Sequence, residues 1–310
     1  MRNKGDKIEN ILHRVSQYMA NRNLEEALQL LERTDEDEYD FRLKNNLAWF
    51  YYKIGIKSVT NNRWYYQPDL AKTFFEEAVL FGDSHYPFSN LGELYIKLKA
   101  YNFALNILEK AVLFEKTVSN QNNLAVAQIH LKQYEEASQI LASLCETKNI
   151  DAEKYIVVYN YGIALYFSGN NAELKKVALY LYKQYCEDNI EIDVLDAMDI
   201  SLILHLAGNY VHADEVFPHE GYVMLGNNFK EHLLTLKKLG KNDEMKQFHD
   251  KVINDIQEEI DDMGVQNNQV IINSKKYKLM ELDLIYQNIG NYSMDDLSIS
   301  PISIVSNYLY

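Results

Sequence analysis

Proline and glycine are scarce in this 310-residue chain, with 4 and 12 copies. Both residues interrupt helices and populate tight turns. Their scarcity argues against a turn-dense sandwich or barrel and favours long helices joined by short turns. Cysteine is scarcer still: Cys145 and Cys186 are the 2 copies, without metal-type spacing. That excludes a disulfide framework and fits a reducing compartment. No apolar run approaches the roughly 18 residues a bilayer requires, and Met1 to Glu9 lacks the apolar core of a signal peptide. The expectation is a cytoplasmic protein with no membrane partner. Positive charge is also in deficit. Lysine and arginine number 31 against 45 acidic residues, leaving a net charge of −14. Such a balance argues against a phosphate-tracking nucleic-acid binder and is compatible with a basic partner. It is equally what solubility alone produces. Catalytic signatures are missing as well: there is no glycine-rich phosphate loop, no H-E-x-x-H and no G-x-S-x-G. His205, His212 and His219 recur every seven residues, but the turn A-G-N-Y between them breaks a shared helix face. No catalytic residue, metal or cofactor is expected, and the chain does not read as an enzyme.

What is present is a period. Gly92, Tyr95, Tyr101, Ala104, Leu108 and Ala111 are followed, at a constant offset of 33, by Ala125, Gln128, Tyr134, Ala137, Leu141 and Leu144. In each set a small residue precedes another by 12 positions, as Gly92 precedes Ala104. Gly162 with Leu174 and Ser201 with Ala213 keep that separation, as do, less clearly, Val15 with Ala27 and Leu233 with Met245. Apolar residues at i, i+3, i+4 and i+7 mark each half-unit as an amphipathic helix. The turns K-L-K-A-Y, H-L-K-Q-Y, F-S-G-N-N, L-A-G-N-Y and K-L-G-K-N place glycine, or a lysine or serine in its stead, where a helix ends. Tyrosine is abundant at 24 copies, and Tyr101, Tyr134 and Tyr210 are expected to fill the wedge between paired helices.

The stretch S-N-L-G-E-L-Y-I-K-L-K-A-Y-N-F-A-L-N-I-L-E-K-A-V, residues 89–112, resembles the tetratricopeptide repeat family, and residues 74–95 look like its Sel1-type variant. The resemblance runs from about Ile8 to Ile256. It implies an all-α fold: a right-handed superhelical solenoid of about seven antiparallel helix pairs, with a C-terminal extension. We expect a solenoid over residues 1–257, with its best repeats at 86–146. Residues 54–67 are an insertion carrying Trp64, Tyr65 and Tyr66, either a longer helix pair or a partner-touching loop. Residues 217–227 break the pattern, and 34–40 read as a solvated acidic turn. Residues 258–310 read as an acidic and polar linker, with one further helix at 276–289. The tail from 298 to 310 alternates small polar with apolar residues and reads as extended, Pro301 disfavouring helix.

Four asparagines occupy one place in successive repeats: Asn46, Asn90, Asn123 and Asn160, each two residues before the small packing position. A primary amide both donates and accepts, so it can pair with both polar groups of an extended backbone. The resemblance implies that the first helix of each pair lines a concave face, where asparagine ladders in this family clamp peptides. Asp199 stands at the next equivalent place and ends the series. Helical spacing puts Arg42, Trp49, Lys53, Tyr86, Glu93, Lys97, Asn122, His130, Tyr159, Ile163 and Tyr166 on the same stripe. Lys53, Asn46, Asn90 and Lys97 partly match the carboxylate clamp of some chaperone-binding members. The competing reading is that each asparagine fixes the stacking of neighbouring units.

Three functions follow from these residues. The leading one is a non-enzymatic protein-interaction module that holds a peptide or loop in its groove, as a monomer or homodimer. A second is an acidic inhibitor or immunity-type protein that sequesters a basic toxin or enzyme. A third is a sensor of the peptide-pheromone-receptor kind, although residues 1–33 supply one helix pair rather than a helix-turn-helix. Residues 298–310 could occupy the groove in cis or in a neighbouring copy.

Overall fold

The computed structural model describes residues 4–34, 40–57, 63–82, 84–145, 152–187, 194–218, 226–264, 269–293 and 299–304. They form fifteen α-helices and one two-stranded β-bridge. The helices fall in consecutive pairs: α1 (Lys4–Ala20) with α2 (Leu24–Glu32), α3 (Phe41–Lys53) with α4 (Pro68–Phe81), α5 (His85–Lys97) with α6 (Tyr101–Phe114) and α7 (Val118–His130) with α8 (Tyr134–Cys145). These are followed by α9 (Ala152–Phe167), α10 (Asn171–Cys186), α11 (Val194–Leu206), α12 (Tyr210–Val216), α13 (Gly226–Lys238), α14 (Asn242–Gly264) and α15 (Gln269–Gln287). The chain divides into two compact units. One runs to Val157 and takes back the segment that begins at Ile302; the other runs from Val158 to Pro301.

Six hairpin turns share one geometry. In each, a residue with left-handed backbone lies just past the first helix: Arg22 (φ 60°), Lys99 (58°), Lys132 (63°), Gly169 (74°), Gly208 (78°) and Gly240 (71°). At Lys99 the amide donates to Ile96 and the next amide, of Ala100, donates to Tyr95. The same pair of bonds recurs at the other five turns and satisfies carbonyls that the helix end leaves open. Lysine does stand in for glycine at two of these turns. Serine does not, since Gly169 rather than Ser168 takes the left-handed position.

The small residues do what the period requires. Ala48, Ala71, Ala104, Ala125 and Ala137 have no exposed surface. A Cβ on Gly92 would lie 2.5 Å from Leu108 Cδ2, so α5 and α6 approach closely only because that atom is missing. Gly162 differs from the expected pairing: its missing Cβ makes room for Ile203 of α11, 2.8 Å away, rather than for the helix bearing Leu174. Within the first unit α3, α5 and α7 touch in turn, so these three first helices form one continuous layer.

Three segments depart from the sequence reading. The insertion is not a longer helix pair. Ile56–Lys57 (β1) pairs antiparallel with Trp64–Tyr65 (β2), and Trp64 packs its ring 6.0 Å from Phe50. Gly55 permits the turn, since at φ +90° any Cβ would lie 2.1 Å from the Tyr65 carbonyl oxygen. Residues 58–62 of this insertion lie outside the described residues, as do 35–39 of the acidic turn and 219–225 of the break. The acidic run at 258–262 is helix, not linker. Ile256 and Ile260 are buried one turn apart while Glu258, Glu259, Asp261 and Asp262 stay on the outer flank of α14. The further helix is also longer than expected and begins at Gln269, anchored by buried Ile272, Leu282 and Ile285.

Candidate functional site

Asn123 is where the structure brings the predicted amide together with a polypeptide backbone. It sits on α7 with no exposed surface. Its Oδ1 accepts from the Ile304 amide at 2.7 Å, and its Nδ2 donates to the Ile304 carbonyl at 2.9 Å. One side chain therefore satisfies both polar groups of one residue. The preceding residue completes the contact: Asn122 Nδ2 donates to the Ile302 carbonyl at 3.2 Å and to Asn123 Oδ1 at 3.3 Å. This last bond fixes the Asn123 amide with its oxygen toward the two donors. Flipping that amide would set donor against donor. Ile304 itself is 3% exposed, so its side chain is buried beside the clamp. No ionised group takes part in these bonds. Residues 299–304 adopt neither helix nor strand, and 305–310 lie outside the described residues.

Local sequence explains why α7 can present these amides. Thr117 caps the helix by accepting from the Asn120 amide at 3.1 Å. Asn120 then turns inward, donating to the Glu115 carbonyl at 2.8 Å and to His85 Nδ1 at 3.2 Å. His85 Nε2 faces Glu115 at 2.9 Å, and Ser89 also donates to Asn120. This buried polar joint ties α7 to α5, and burial pushes the His85 pKa down while Glu115 opposes the shift. His85 and Asn120 were not singled out from sequence; a capping threonine three residues before an asparagine is the cue that was available.

The asparagines nearer the N-terminus are engaged differently. Asn90 Nδ2 donates to Asn45 Oδ1 at 2.9 Å, and Asn45 Nδ2 lies 3.4 Å from Asn46 Oδ1. All three are buried. Here the amides join α3 to α5. Asn46 also borders an open cavity of about 400 Å3 with Glu9, His13, Met19 and Arg42.

Comparison with solved structures identifies the architecture. A crystal structure of a tetratricopeptide repeat protein from Parabacteroides merdae ATCC 43184 superposes with a TM-score of 0.56 at 14% identity, covering 88% of this chain and 98% of that one. The fold is that of the tetratricopeptide repeat. Looser likenesses are MamA, at TM-score 0.36, 16% identity and 77% and 93% coverage, and the TPR2AB domain of yeast Sti1 in a pHSP90 complex, at 0.34, 16%, 92% and 99%. No protein-family model and no curated protein matches the chain.

Other predicted residues take varied places on the tetratricopeptide frame. Lys53 Nζ lies 2.6 Å from Glu93 Oε1, and Tyr52 donates to the same oxygen at 3.0 Å. Glu93 is fully buried, so Lys53 answers an internal charge rather than awaiting a carboxylate ligand. Lys97 is exposed. Arg42 is held by Asp40 at 3.0 Å and by Glu9, which keeps its guanidinium charged. Trp49 is buried, and its indole N–H meets no acceptor among the described residues. His130 stacks on Tyr101 with centroids 4.0 Å apart, and burial lowers its pKa. In the second unit Tyr159 is buried and its hydroxyl lies 3.4 Å from the Ser300 carbonyl. Burial and the nearby Asp199 and Glu231 raise its pKa. Asn160 is fully buried, Asp199 is half-buried, and half-buried Tyr166 meets Phe167 edge-on. No described helix is long and apolar enough to cross a membrane. Among the described residues no three His, Cys, Asp or Glu side chains could hold a metal ion.

Proposed function

We propose that the first unit is a non-enzymatic protein-interaction module that binds an extended polypeptide segment by its main chain, on the layer formed by α3, α5 and α7. The observation that carries this reading is the paired bond between Asn123 and the Ile304 amide and carbonyl. The clamp itself touches only main-chain atoms, so it reads the extended backbone, and any selection among side chains comes from the surface beside it, where Ile304 is buried. Each such bond contributes about 1 kcal/mol net, and affinity therefore accumulates along several contacts. Asn46 and Asn90 belong to this reading as supports of the same wall, Asn90 through its bond to Asn45. Trp49 is buried within the core of this unit, so it backs the wall rather than facing a bound segment. Neither Cys145 nor Cys186 is in a disulfide, which fits action in a reducing compartment such as the cytoplasm. The inhibitor reading rests on the net charge of −14 alone, and the contacts of Asn122 and Asn123 carry no charge.

The test is an array of short peptides probed with the full chain and with an Asn122→Ala, Asn123→Ala double variant of matched helicity. Peptides that the natural chain retains should lose at least about tenfold in affinity on the variant, the equivalent of 1.4 kcal/mol. If the two proteins retain the same peptides equally, main-chain clamping is not how this face binds.

A further inference from the structure

We infer that residues 302–304 are a resident ligand of the Asn122–Asn123 clamp, and that the external partner is an uncharged extended segment with aliphatic residues at alternate positions. This rests on the proposed main-chain binding face and names its ligand class and its internal competitor. Three observations point there. The segment is bonded as a ligand is bonded: the Ile302 carbonyl and both polar groups of Ile304 are met by side chains of α7, not by any helix or strand of their own. Contacts fall on alternate residues, which is the repeat of a strand-like chain whose other side chains point away. Ile304 also seats its side chain, only 3% of its surface being exposed.

The chemistry of the occupant follows from what surrounds it. Ile304 is 3% exposed, while Ile302 is half-buried like Pro301 and Ser303, so the aliphatic requirement is read from the buried Ile304 and from the isoleucine repeated at 302. Residues 298–304 of the chain, S-I-S-P-I-S-I, carry no charge. Two of the three cations that sequence placed on this stripe are matched, Lys53 by Glu93 and Arg42 by Asp40 and Glu9, while the third, Lys97, stays exposed to water. A segment bearing a carboxylate or ammonium group at the 304 position would bury a charge without a counter-ion, which is unfavourable. A neutral aliphatic segment meets no such penalty.

Competition by the chain's own tail is favoured by tethering. A short flexible tether holds its end at an effective concentration in the millimolar range. A tail whose own intrinsic Kd is about 10–100 micromolar therefore weakens any competing peptide by about one to two orders of magnitude until it is displaced. The device sets a threshold: only an abundant, multivalent or better-fitting segment opens the face.

The experiment uses a fluorescent synthetic peptide of residues 298–310, titrated by anisotropy into three proteins: the full chain, the chain lacking residues 298–310, and a full chain carrying Ile302→Asp and Ile304→Asp. The last keeps the tail but expels it from the clamp, and it guards against a truncation that fails to fold. We expect binding to both altered proteins at least about tenfold tighter than to the natural chain. Adding Asn123→Ala should abolish the gain, and a peptide with lysine at positions 302 and 304 should not bind. Equal binding to the full chain and to both altered proteins would overturn the resident-ligand inference while leaving the binding face intact. Absence of binding to every protein, each with native helicity, would overturn both. Tight binding of the lysine peptide would overturn the assigned ligand class alone. If the tail instead pairs two copies, the natural chain will be dimeric by light scattering and both altered proteins monomeric, and occupation in cis is then wrong.

Discussion

Asn90 on α5 donates to Asn45 on α3 across 2.9 Å, and neither side chain is exposed beyond 1%. The bond links two first helices of adjacent pairs, so it acts on the angle at which those pairs stack. Removing the acceptor with Asn45→Ala leaves Asn90 to reorganise inside a sealed contact. A buried polar group that loses its partner costs about 1–3 kcal/mol. We predict that Asn45→Ala lowers stability by that amount in urea unfolding while Asn123→Ala, whose partner lies in the tail, lowers it less. Equal losses would mean that the tail is as much part of the fold as the helix layer.

Lys53 and Glu93 make a second internal pairing, and its asymmetry decides the outcome. Glu93 is fully buried, whereas the Lys53 side chain keeps 17% of its surface. Burial depresses the Lys53 pKa, and Glu93 opposes the shift. Lys53→Met removes the counter-ion from a carboxylate that cannot reach water. The expected loss is about 3–5 kcal/mol, the range for breaking a buried pair from one side. The double change Lys53→Met, Glu93→Leu should recover much of it, because replacing a buried pair with apolar residues is often neutral. A double variant no more stable than Lys53→Met would show that Tyr52, which also bonds Glu93, dominates the cluster.

Much of the architecture was legible because helix packing writes itself into spacing. The offset between Gly92 and Ala125 and the small residues at Ala104 and Ala137 all sit at buried contacts, as their periodicity implied. The insertion was less legible: Ile56 pairing with Tyr65 is a two-residue contact between short segments, below the length at which strand alternation can be seen. The acidic run Glu258–Asp262 was misread as linker because charge density hid the four-residue spacing of Ile256 and Ile260. Among the asparagines, sequence located the amides but not their partners. Asn46, Asn90 and Asn123 look alike in register, yet one bonds a neighbouring amide and another bonds a tail some 180 residues away, at |i−j| = 181 for Ile304. Register sets where a side chain points; only the folded chain sets what it meets.

Close approach at Gly92 gives a packing prediction with a definite sign. A methyl there would lie 2.5 Å from both Cγ and Cδ2 of Leu108, which is itself fully buried. Leu108 would have to shift within a buried contact, so Gly92→Ala should destabilise by about 1–3 kcal/mol despite the better helix propensity of alanine. The turns predict the opposite sign. Lys132 holds a left-handed backbone at φ 63°, a conformation that costs a non-glycine residue about 1–2 kcal/mol. Lys132→Gly relieves that strain but loosens the unfolded chain, so the net gain should be about 0.5–1 kcal/mol. Thermal unfolding of the two variants checks both; a stabilised Gly92→Ala or a destabilised Lys132→Gly would refute the corresponding geometry.

Glu231 gives the second unit a pH signature. It is buried on α13 and accepts from Ser201 at 3.0 Å. Burial raises its pKa from an ordinary 4.5 to about 8, with Asp199 adding to the rise and the Ser201 bond opposing it. Between those values the folded chain keeps a proton that the unfolded chain has lost, so stability falls as pH rises through that window. His205 works in the other direction. Burial lowers its pKa from 6.5 to about 4, so its neutral, folded form loses stability as pH drops from 6.5 toward 4. The two slopes oppose each other below pH 6.5, and above it only that of Glu231 remains. The natural chain should therefore lose thermal stability between about pH 6.5 and pH 8, and Glu231→Gln, which keeps a group able to bond Ser201, should flatten that slope and be the more stable protein at pH 8.5. A natural chain whose melting temperature is unchanged between pH 6.5 and 8, or a variant that keeps the slope, would place the carboxyl's charge in contact with water rather than in the core.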